Sequence, residues 1–317
     1  MKILTLGCSS IARRRAFPGM LALPAIEQID IASKRPVPAD LLPADRLGAT
    51  FDDYAVALEE SDATLVYVSL VNSLHLPMVE AALRSGRHVV VDKPAFLTLG
   101  ETEKMLALAE ARDLLLAEAV VFADHPQFDA LRRVASENGG ATRIQTTFSF
   151  PPLGEGNFRY NPDLGGGVVN DVAPYPVAVG RLLFQGSPVS VSCRPLAWQH
   201  GVPVSALITL IWQNGRALTA FIGYDTEYRN NLSVFGPGMA VDMDRAYTPP
   251  PLESTQLNVR IANEPQQMAI PAGDNFTGFF GRVLARIEDG RHGEFADAMR
   301  DDAMVMDMLR LDMGFAG

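Results

Sequence analysis

The feature that most constrains this chain is the alternation of its first 121 residues between short β-rich runs and longer segments with helical spacing. Apolar β-formers fill residues 2–6, 29–33, 64–69, 88–91 and 114–121. Between them, residues 12–23, 54–60, a stretch from about residue 76, and residues 99–112 repeat apolar positions at the period of a helix. Strands that alternate with helices pair in parallel through crossovers, so this part is expected to form a doubly wound parallel sheet.

After residue 121 the rhythm changes. Residues 122–138 read as one helix with Pro126 in its first turn. Residues 143–150, 189–195, 206–212, 217–224 and 231–235 then follow as alternating or β-branched runs with few helices between them. That pattern predicts a large, mostly antiparallel sheet with one face covered by helices or by another subunit. The proline-rich stretch 247–252 reads as a loop. Residues 276–289 and 294–311 read as helices that pack across the domain boundary. A chain of 317 residues exceeds one comfortable core, so two domains are expected. The overall class is α/β: residues 1–121 as a parallel-sheet domain and residues 122–317 as an α+β domain.

Bulk composition excludes several classes of function. The formal charge of −10 disfavours a nucleic-acid partner, and no extended basic patch offsets it. Cys8 and Cys193 stand far apart without ligand spacing, which suggests neither a disulfide framework nor a metal site. No stretch reaches the roughly 18 apolar residues of a membrane span, and the apolar start at residues 3–6 is too short for a secretion signal. A cytoplasmic protein is expected.

The first strand runs into Gly7-Cys8-Ser9-Ser10-Ile11-Ala12. This matches the dinucleotide turn G-x-G-x-x-[GA] at its ends, with Ser9 at the middle glycine. Gly7 permits the tight turn, the small Ser9 lets backbone approach a pyrophosphate, and Ala12 lets the following helix sit close to the strand. Arg13, Arg14 and Arg15 come next, where cations oppose the positive end of a helix unless an anion is near or they swing into solvent. About twenty residues on, an NAD enzyme would place an acid on the ribose. Here that position is Ser33, followed by Lys34 and Arg35, which suits the 2′-phosphate of NADP, with NAD as the alternative cofactor. Asp30 lies too early on its strand to serve as the ribose acid.

Residues 85–94, Ser-Gly-Arg-His-Val-Val-Val-Asp-Lys-Pro, strongly resemble the signature of the Gfo/Idh/MocA family of dehydrogenases. The resemblance extends to residues 72–75, to Glu118 through Gln127, to Phe158-Arg159-Tyr160, to Leu164-Gly165-Gly166-Gly167, and to Asp171 through Tyr175. It implies a Rossmann domain at residues 1–121 and a substrate and oligomerisation domain at residues 122–317. It also implies a cis peptide before Pro94 and a cofactor site lined by Gly7, Ser9, Ser10, Ile11, Ala12, Ser33, Lys34, Arg35, Leu70, Asn72, His75, Asp92, Lys93 and Pro94.

A proton must reach the oxygen of any carbonyl reduced there, and Lys93 at a strand end is suited to deliver it or to polarise the carbonyl. Asp92 stands where the family usually has glutamate. Pro174 and Pro176 fit one helix only if it starts near residues 171–173, which would set Asp171 and Tyr175 one turn apart. By residue type alone Asp171 could be an N-cap and Tyr175 a core aromatic. The family makes Tyr175 a proton donor and Asp171 a substrate anchor, with Arg159 and Tyr160 on a substrate loop.

A tyrosine in this slot resembles the branch holding nucleotide-sugar 3-ketoreductases, glucose-fructose oxidoreductase and dihydrodiol dehydrogenases. An NADP-dependent keto-sugar reductase acting on a nucleotide-linked sugar is the leading expectation. A free aldose, polyol or dihydrodiol dehydrogenase and a non-catalytic nucleotide-sensing regulator are the alternatives. His75 and His125 are either pocket residues or satisfied structural histidines, and neither has metal-ligand company. The family commonly forms homodimers or homotetramers through the open face of the second sheet.

Overall fold

The computed structural model describes residues 1–251 and 253–314. The chain divides into two compact units, one formed by Met1–Val121 with Phe276–Arg300, the other by Phe122–Asn275 with the chain from Asp301 onward.

The first unit holds a six-stranded parallel sheet of β1 (Lys2–Leu6), β2 (Gln28–Ala32), β3 (Leu47–Phe51), β4 (Leu65–Val68), β5 (His88–Val91) and β6 (Leu116–Glu118), in the order β3-β2-β1-β4-β5-β6. Successive side chains go to opposite faces. Leu4, Leu6, Val66, Val68, Val89 and Val91 fill one core layer, while Ile3, Leu65, Tyr67 and Val90 fill the other. Burial on both faces explains why these strands read as unbroken apolar runs. Each fully buried Val, Leu or Ile contributes about 1.5–3 kcal/mol. Phe276, Phe279, Phe280, Val283 and Phe295 from the far end of the chain complete the second layer.

Local differences from the sequence reading have identifiable causes. Strand β3 was not anticipated, because none of its residues is buried and its apolar signal is weak. Gly48 within it is required: a Cβ there would stand 2.0 Å from Asp30 Oδ1. The helix expected over residues 12–23 is a wide, π-type turn at Ala12–Ala16 leading into α1 (Phe17–Leu21). Then come α2 (Tyr54–Glu60), α3 (His75–Arg84) and α4 (Leu99–Glu110), the last opened by a reciprocal cap between Thr98 and Glu101. The single helix expected at residues 122–138 is instead a tight turn at Val121–Asp124 followed by α5 (Pro126–Glu137). Pro126 takes the first helical position, where its missing N–H costs nothing, and the His125 side chain caps the helix by accepting from Gln127 N–H.

The second unit is built on an eight-stranded sheet. It comprises β7 (Arg143–Ser149), β8 (Ser190–Gln199), β9 (Val202–Ile211), β10 (Ala217–Gly223), β11 (Arg229–Gly236), β12 (Met239–Met243), β13 (Thr255–Ile261) and β14 (Glu264–Ile270), in the order β14-β13-β12-β11-β7-β10-β9-β8. Strands β7 and β10 run parallel and the other neighbours antiparallel. Strands β12 to β14 escaped the sequence reading. β14 is almost wholly exposed and polar, so its alternation carries little apolar contrast. Residues 247–251 form neither helix nor strand, and Leu252 of the expected loop lies outside the described residues.

Two further helices precede β8. α6 (Val168–Val172) begins earlier than the expected start near residues 171–173, and α7 (Pro174–Phe184) follows directly, with Pro174 in its first turn. Asp171 and Tyr175 therefore lie on two helices rather than one. The chain closes with α8 (Asn275–Asp289) and α9 (Gly293–Asp312). No helix among the described residues is long and apolar enough to cross a membrane.

Candidate active site

In the first unit the strand order reverses between β1 and β4, the place where open parallel sheets leave a crevice at their carboxyl ends. Gly7 sits at that reversal with φ +100°, and a Cβ on it would stand 2.2 Å from the Ser69 carbonyl oxygen, so only glycine fits. Its N–H donates to the Ala32 carbonyl at 2.8 Å, knitting the turn to the end of β2. Ser9, at the motif's middle glycine, has a use for its hydroxyl. Its Oγ accepts Ala12 N–H at 3.0 Å and lies 2.7 Å from Ser69 Oγ, bridging the two sides of the crevice. Ala12 is fully buried, whereas Ser10 and Ile11 are exposed. Arg14 Nε donates to the Ser10 hydroxyl at 3.0 Å, so this arginine holds the turn.

At the end of β2, Ser33 is buried and its Oγ accepts Arg35 N–H at 3.1 Å. Lys34 and Arg35 are exposed, with Lys34 Nζ 2.9 Å from Asp53 Oδ2. Asp30 is wholly engaged in structure: it accepts Ala49 N–H at 2.8 Å and the Ser61 hydroxyl at 2.7 Å, with Lys2 Nζ at 3.8 Å. A glycine turn closed to any side chain, set at the strand-order reversal with a hydroxyl and two cations at the next strand end, is a donor set that fits a 2′-phosphorylated dinucleotide.

The strand end carrying Lys93 is tied by buried polar contacts. Asp92 accepts hydroxyl protons from Tyr67 Oη at 2.6 Å and from Ser69 Oγ at 2.7 Å. Burial pushes the Asp92 carboxyl up, and the two hydroxyls and the nearby His75 and Lys93 pull against it. The Lys93–Pro94 peptide is cis. Ala95 N–H donates to Glu118 Oε1 at 2.7 Å, which fixes the chain just past the proline. His75 is fully buried, with Nδ1 2.9 Å from the Pro94 carbonyl and Nε2 3.2 Å from the Leu70 carbonyl. Burial pushes this imidazole down. Both its nitrogens lie against backbone carbonyls, so His75 shapes the segment carrying Leu70, Asn72 and Pro94. Asn72 is likewise buried, and the Leu70 side chain lies against the glycine turn.

The second unit gathers a separate cluster. Arg159 Nε donates to Asp171 Oδ2 at 2.6 Å, and Tyr224 Oη donates to the same oxygen at 3.1 Å. The Asp171 charge drives the Arg159 guanidinium still further up, and burial together with that charge holds the Tyr224 hydroxyl well above its ordinary value. Asp171 is thus held by two donors and serves as a fixed acceptor rather than a helix cap.

Half-buried Tyr175 packs among Phe122, Phe148 and Tyr247, with ring centroids at 5.7, 4.9 and 5.0 Å. Through Phe148 and Phe150 this aromatic wall continues to Tyr224. The loop with Arg159 is locked by Gly166 and Gly167. A Cβ on Gly166 would meet the carbonyl oxygens of Arg159, Asn161 and Phe158 at 2.6, 2.7 and 2.8 Å, and Gly167 N–H donates to the Arg159 carbonyl at 2.8 Å. Tyr160, expected beside the substrate, is buried. Its hydroxyl accepts Leu153 N–H at 2.9 Å, so it closes its own loop.

Sequence reasoning missed Tyr67, Ser69, Tyr224 and Tyr247. A hydroxyl ending a buried apolar strand was the available signal for the first two. Among the described residues no group of three or more His, Cys, Asp or Glu could hold a metal ion.

Residues 1–120 match the oxidoreductase family with an NAD-binding Rossmann fold, and residues 132–240 match the GFO/IDH/MocA C-terminal domain. The chain is 30% identical over 314 residues to a dTDP-3,4-didehydro-2,6-dideoxy-α-D-glucose 3-reductase of Streptomyces antibioticus, covering 95% of this chain and 93% of the relative. A solved structure of a 3-ketoreductase from Actinomadura kijaniata in complex with NADP and TDP-benzene superposes with a TM-score of 0.90 at 28% identity, over 98% of this chain and 97% of that one. A D-xylose 1-dehydrogenase (NADP(+)) of Haloferax volcanii is 35% identical over 187 residues, 58% of this chain and 57% of the relative.

Proposed function

The chain belongs to the Gfo/Idh/MocA oxidoreductase family, and from that premise we propose that it is an NADP-dependent reductase of a ketone on a nucleotide-linked sugar. The observation that carries this reading is Asp171 held by Arg159 and Tyr224, four residues from the half-buried Tyr175 hydroxyl on an aromatic wall. A fixed anion orients sugar hydroxyls, and aromatic rings pack against the apolar faces of a sugar or base. Full-length likeness to dTDP-sugar 3-reductases supports the substrate class.

NADPH, when bound, supplies a hydride to the carbonyl carbon, leaving NADP⁺. Gly7, Ser9, Ser10 and Ile11 would hold its pyrophosphate, and Ser33, Lys34 and Arg35 its 2′-phosphate. Tyr175 gives its hydroxyl proton to the carbonyl oxygen, yielding the alcohol, and Lys93 polarises that oxygen and helps return the proton. Asp171 anchors the sugar. Asp92 positions Lys93, since its oxygens are taken by Tyr67 and Ser69.

A free-aldose dehydrogenase is the second reading, favoured by the match to the D-xylose enzyme. Two free thiols accord with a reducing, cytoplasmic setting. Exposed Leu196, Trp198, Leu207 and Ile211 on β8 and β9 support assembly as a homodimer or homotetramer through this sheet.

Absorbance of NADPH and NADH followed with dTDP-linked 3-keto-sugars, free keto-sugars and free aldoses tests the proposal. Turnover fastest with the nucleotide-linked ketones is expected. A higher kcat/KM on free aldoses would favour the second reading, and no turnover on any member would sink both.

A further inference from the structure

The loop after β3 comes up beside the three residues assigned to the 2′-phosphate. Ser33 N–H donates to the Phe51 carbonyl at 2.9 Å, which pins the ends of β2 and β3 together and brings Asp52 and Asp53 alongside Lys34. Lys34 Nζ lies 2.9 Å from Asp53 Oδ2 and 5.4 Å from the centroid of the Tyr54 ring. The second oxygen of Asp53 has another task. Oδ1 accepts Ala55 N–H at 2.8 Å and Val56 N–H at 3.2 Å, capping α2. The cap fixes the carboxylate, so it cannot swing aside when an anion arrives. Lys34 and Asp53 side chains are 57% and 45% exposed, which leaves the pair open to a ligand.

We propose that Asp53 limits cofactor selectivity: it is a fixed carboxylate that competes with the 2′-phosphate for Lys34 and keeps the preference for NADPH over NADH below what Ser33, Lys34 and Arg35 alone would set. The inference rests on the NADP reading given above. A phosphate dianion entering this corner meets Lys34 already partly neutralised, and it also meets the negative charge of Asp53 itself. The penalty falls on the ligand with the extra phosphate, because a ribose bearing a free 2′-hydroxyl brings no charge there. The effect is electrostatic, so salt weakens it. The mutual attraction of the pair is visible in both partners, with Lys34 raised by its bond to Asp53 and Asp53 lowered by its bond to Lys34.

Asp53→Asn and Asp53→Ser both keep a side-chain oxygen for the α2 cap while removing the charge, so a shared effect reports charge and not folding. Calorimetric titration with 2′,5′-ADP and 5′-AMP isolates the corner from catalysis, and fluorescence titration with NADPH and NADH extends it to the whole cofactor. Both variants should bind 2′,5′-ADP and NADPH about three- to tenfold more tightly at low salt, the size of a screened contact between a carboxylate and a dianion. 5′-AMP and NADH should change by less than about twofold, and the gain should shrink in high salt. Unchanged or weakened 2′,5′-ADP binding in two folded variants overturns the inference. Lys34→Ala separates the two levels. If it weakens 2′,5′-ADP while the Asp53 variants do not tighten it, the inference fails and the NADP reading stands. If it leaves 2′,5′-ADP unaffected, the assignment of Lys34 to the phosphate fails, and the role of Asp53 with it.

Discussion

Asp92, which stands where the family usually has glutamate, accepts protons from Tyr67 and Ser69, residues within and just past the neighbouring strand β4. The carboxylate is one methylene shorter, and each of its oxygens is engaged by one of these hydroxyls. Ser69 in turn joins Ser9, so one line of hydroxyls links the glycine turn to the residue before Lys93. On the proposed mechanism, Lys93→Met should abolish turnover while leaving NADPH affinity within a few-fold, because the lysine's chemical task is at the carbonyl and it is only one of many residues assigned to the cofactor site. Tyr175→Phe should lower kcat by roughly 10²–10⁴-fold, the usual span for a general acid. The double mutant should lose far less than the product of the two, since groups in one proton-transfer unit are non-additive. Steady-state kinetics with cofactor titrations checks all three, and near-normal kcat in Lys93→Met would remove the lysine from the mechanism. Lys93 and Tyr175 could be proposed from the sequence because each sits in a dense local motif. Tyr67 and Tyr224 could not, because each acts on a residue distant in sequence that only the sheet brings close.

Among elements, the strands buried on both faces were legible and the exposed ones were not. β1, β4 and β5 announce themselves by unbroken apolar runs, while β3 and β14 lie at sheet edges and bury little, so their sequences are free to vary. The α6–α7 junction was misplaced because two prolines were fitted into one helix start, whereas Val168–Val172 forms a short helix ahead of Pro174. The Arg159 loop offers a test at this scale. Gly166→Ala would push a methyl group into three backbone carbonyls that cannot yield as a side chain would. Overpacking of this kind costs about 1–3 kcal/mol. A lower Tm and a higher KM for the sugar are expected, with NADPH affinity unchanged, and thermal melts with a kinetic comparison read both. Wild-type KM in a destabilised variant would show that the loop does not set substrate binding.

For the whole molecule, acid sensitivity follows from the half-buried His88 and the buried His75. Leu115 N–H donates to His88 Nδ1 at 3.0 Å, a bond that needs that nitrogen unprotonated. Burial and the neighbouring His292 hold His88 below its ordinary value of 6.5, and burial does the same to His75. A depressed histidine means that the unfolded chain binds more protons, so this stabilisation is complete above about pH 6.5 and is lost as pH falls below it. Melting temperature should drop from pH 7 towards pH 5, and His88→Asn, whose Oδ1 can still accept from Leu115, should flatten part of the slope; an unchanged slope would acquit His88. Assembly is testable too. If the exposed β8–β9 face joins subunits, Trp198→Glu with Leu207→Arg should shift the species seen by light scattering to monomer, and a monomeric wild type would dismiss the idea.

The return of residues 276–300 to complete the first core has a consequence for how such a protein can be cut and recombined. A fragment ending at residue 121 would lack Phe279, Phe280 and Val283 and expose the Tyr67 side of its sheet. Residues 122–275 are by contrast an uninterrupted excursion from that core. A chimera that grafts a relative's specificity onto this cofactor unit therefore needs three splice points, near 121, 275 and 300, because the chain from Asp301 onward belongs to the second unit again, and an exchange made at the first alone would leave the host core without Phe279, Phe280 and Val283.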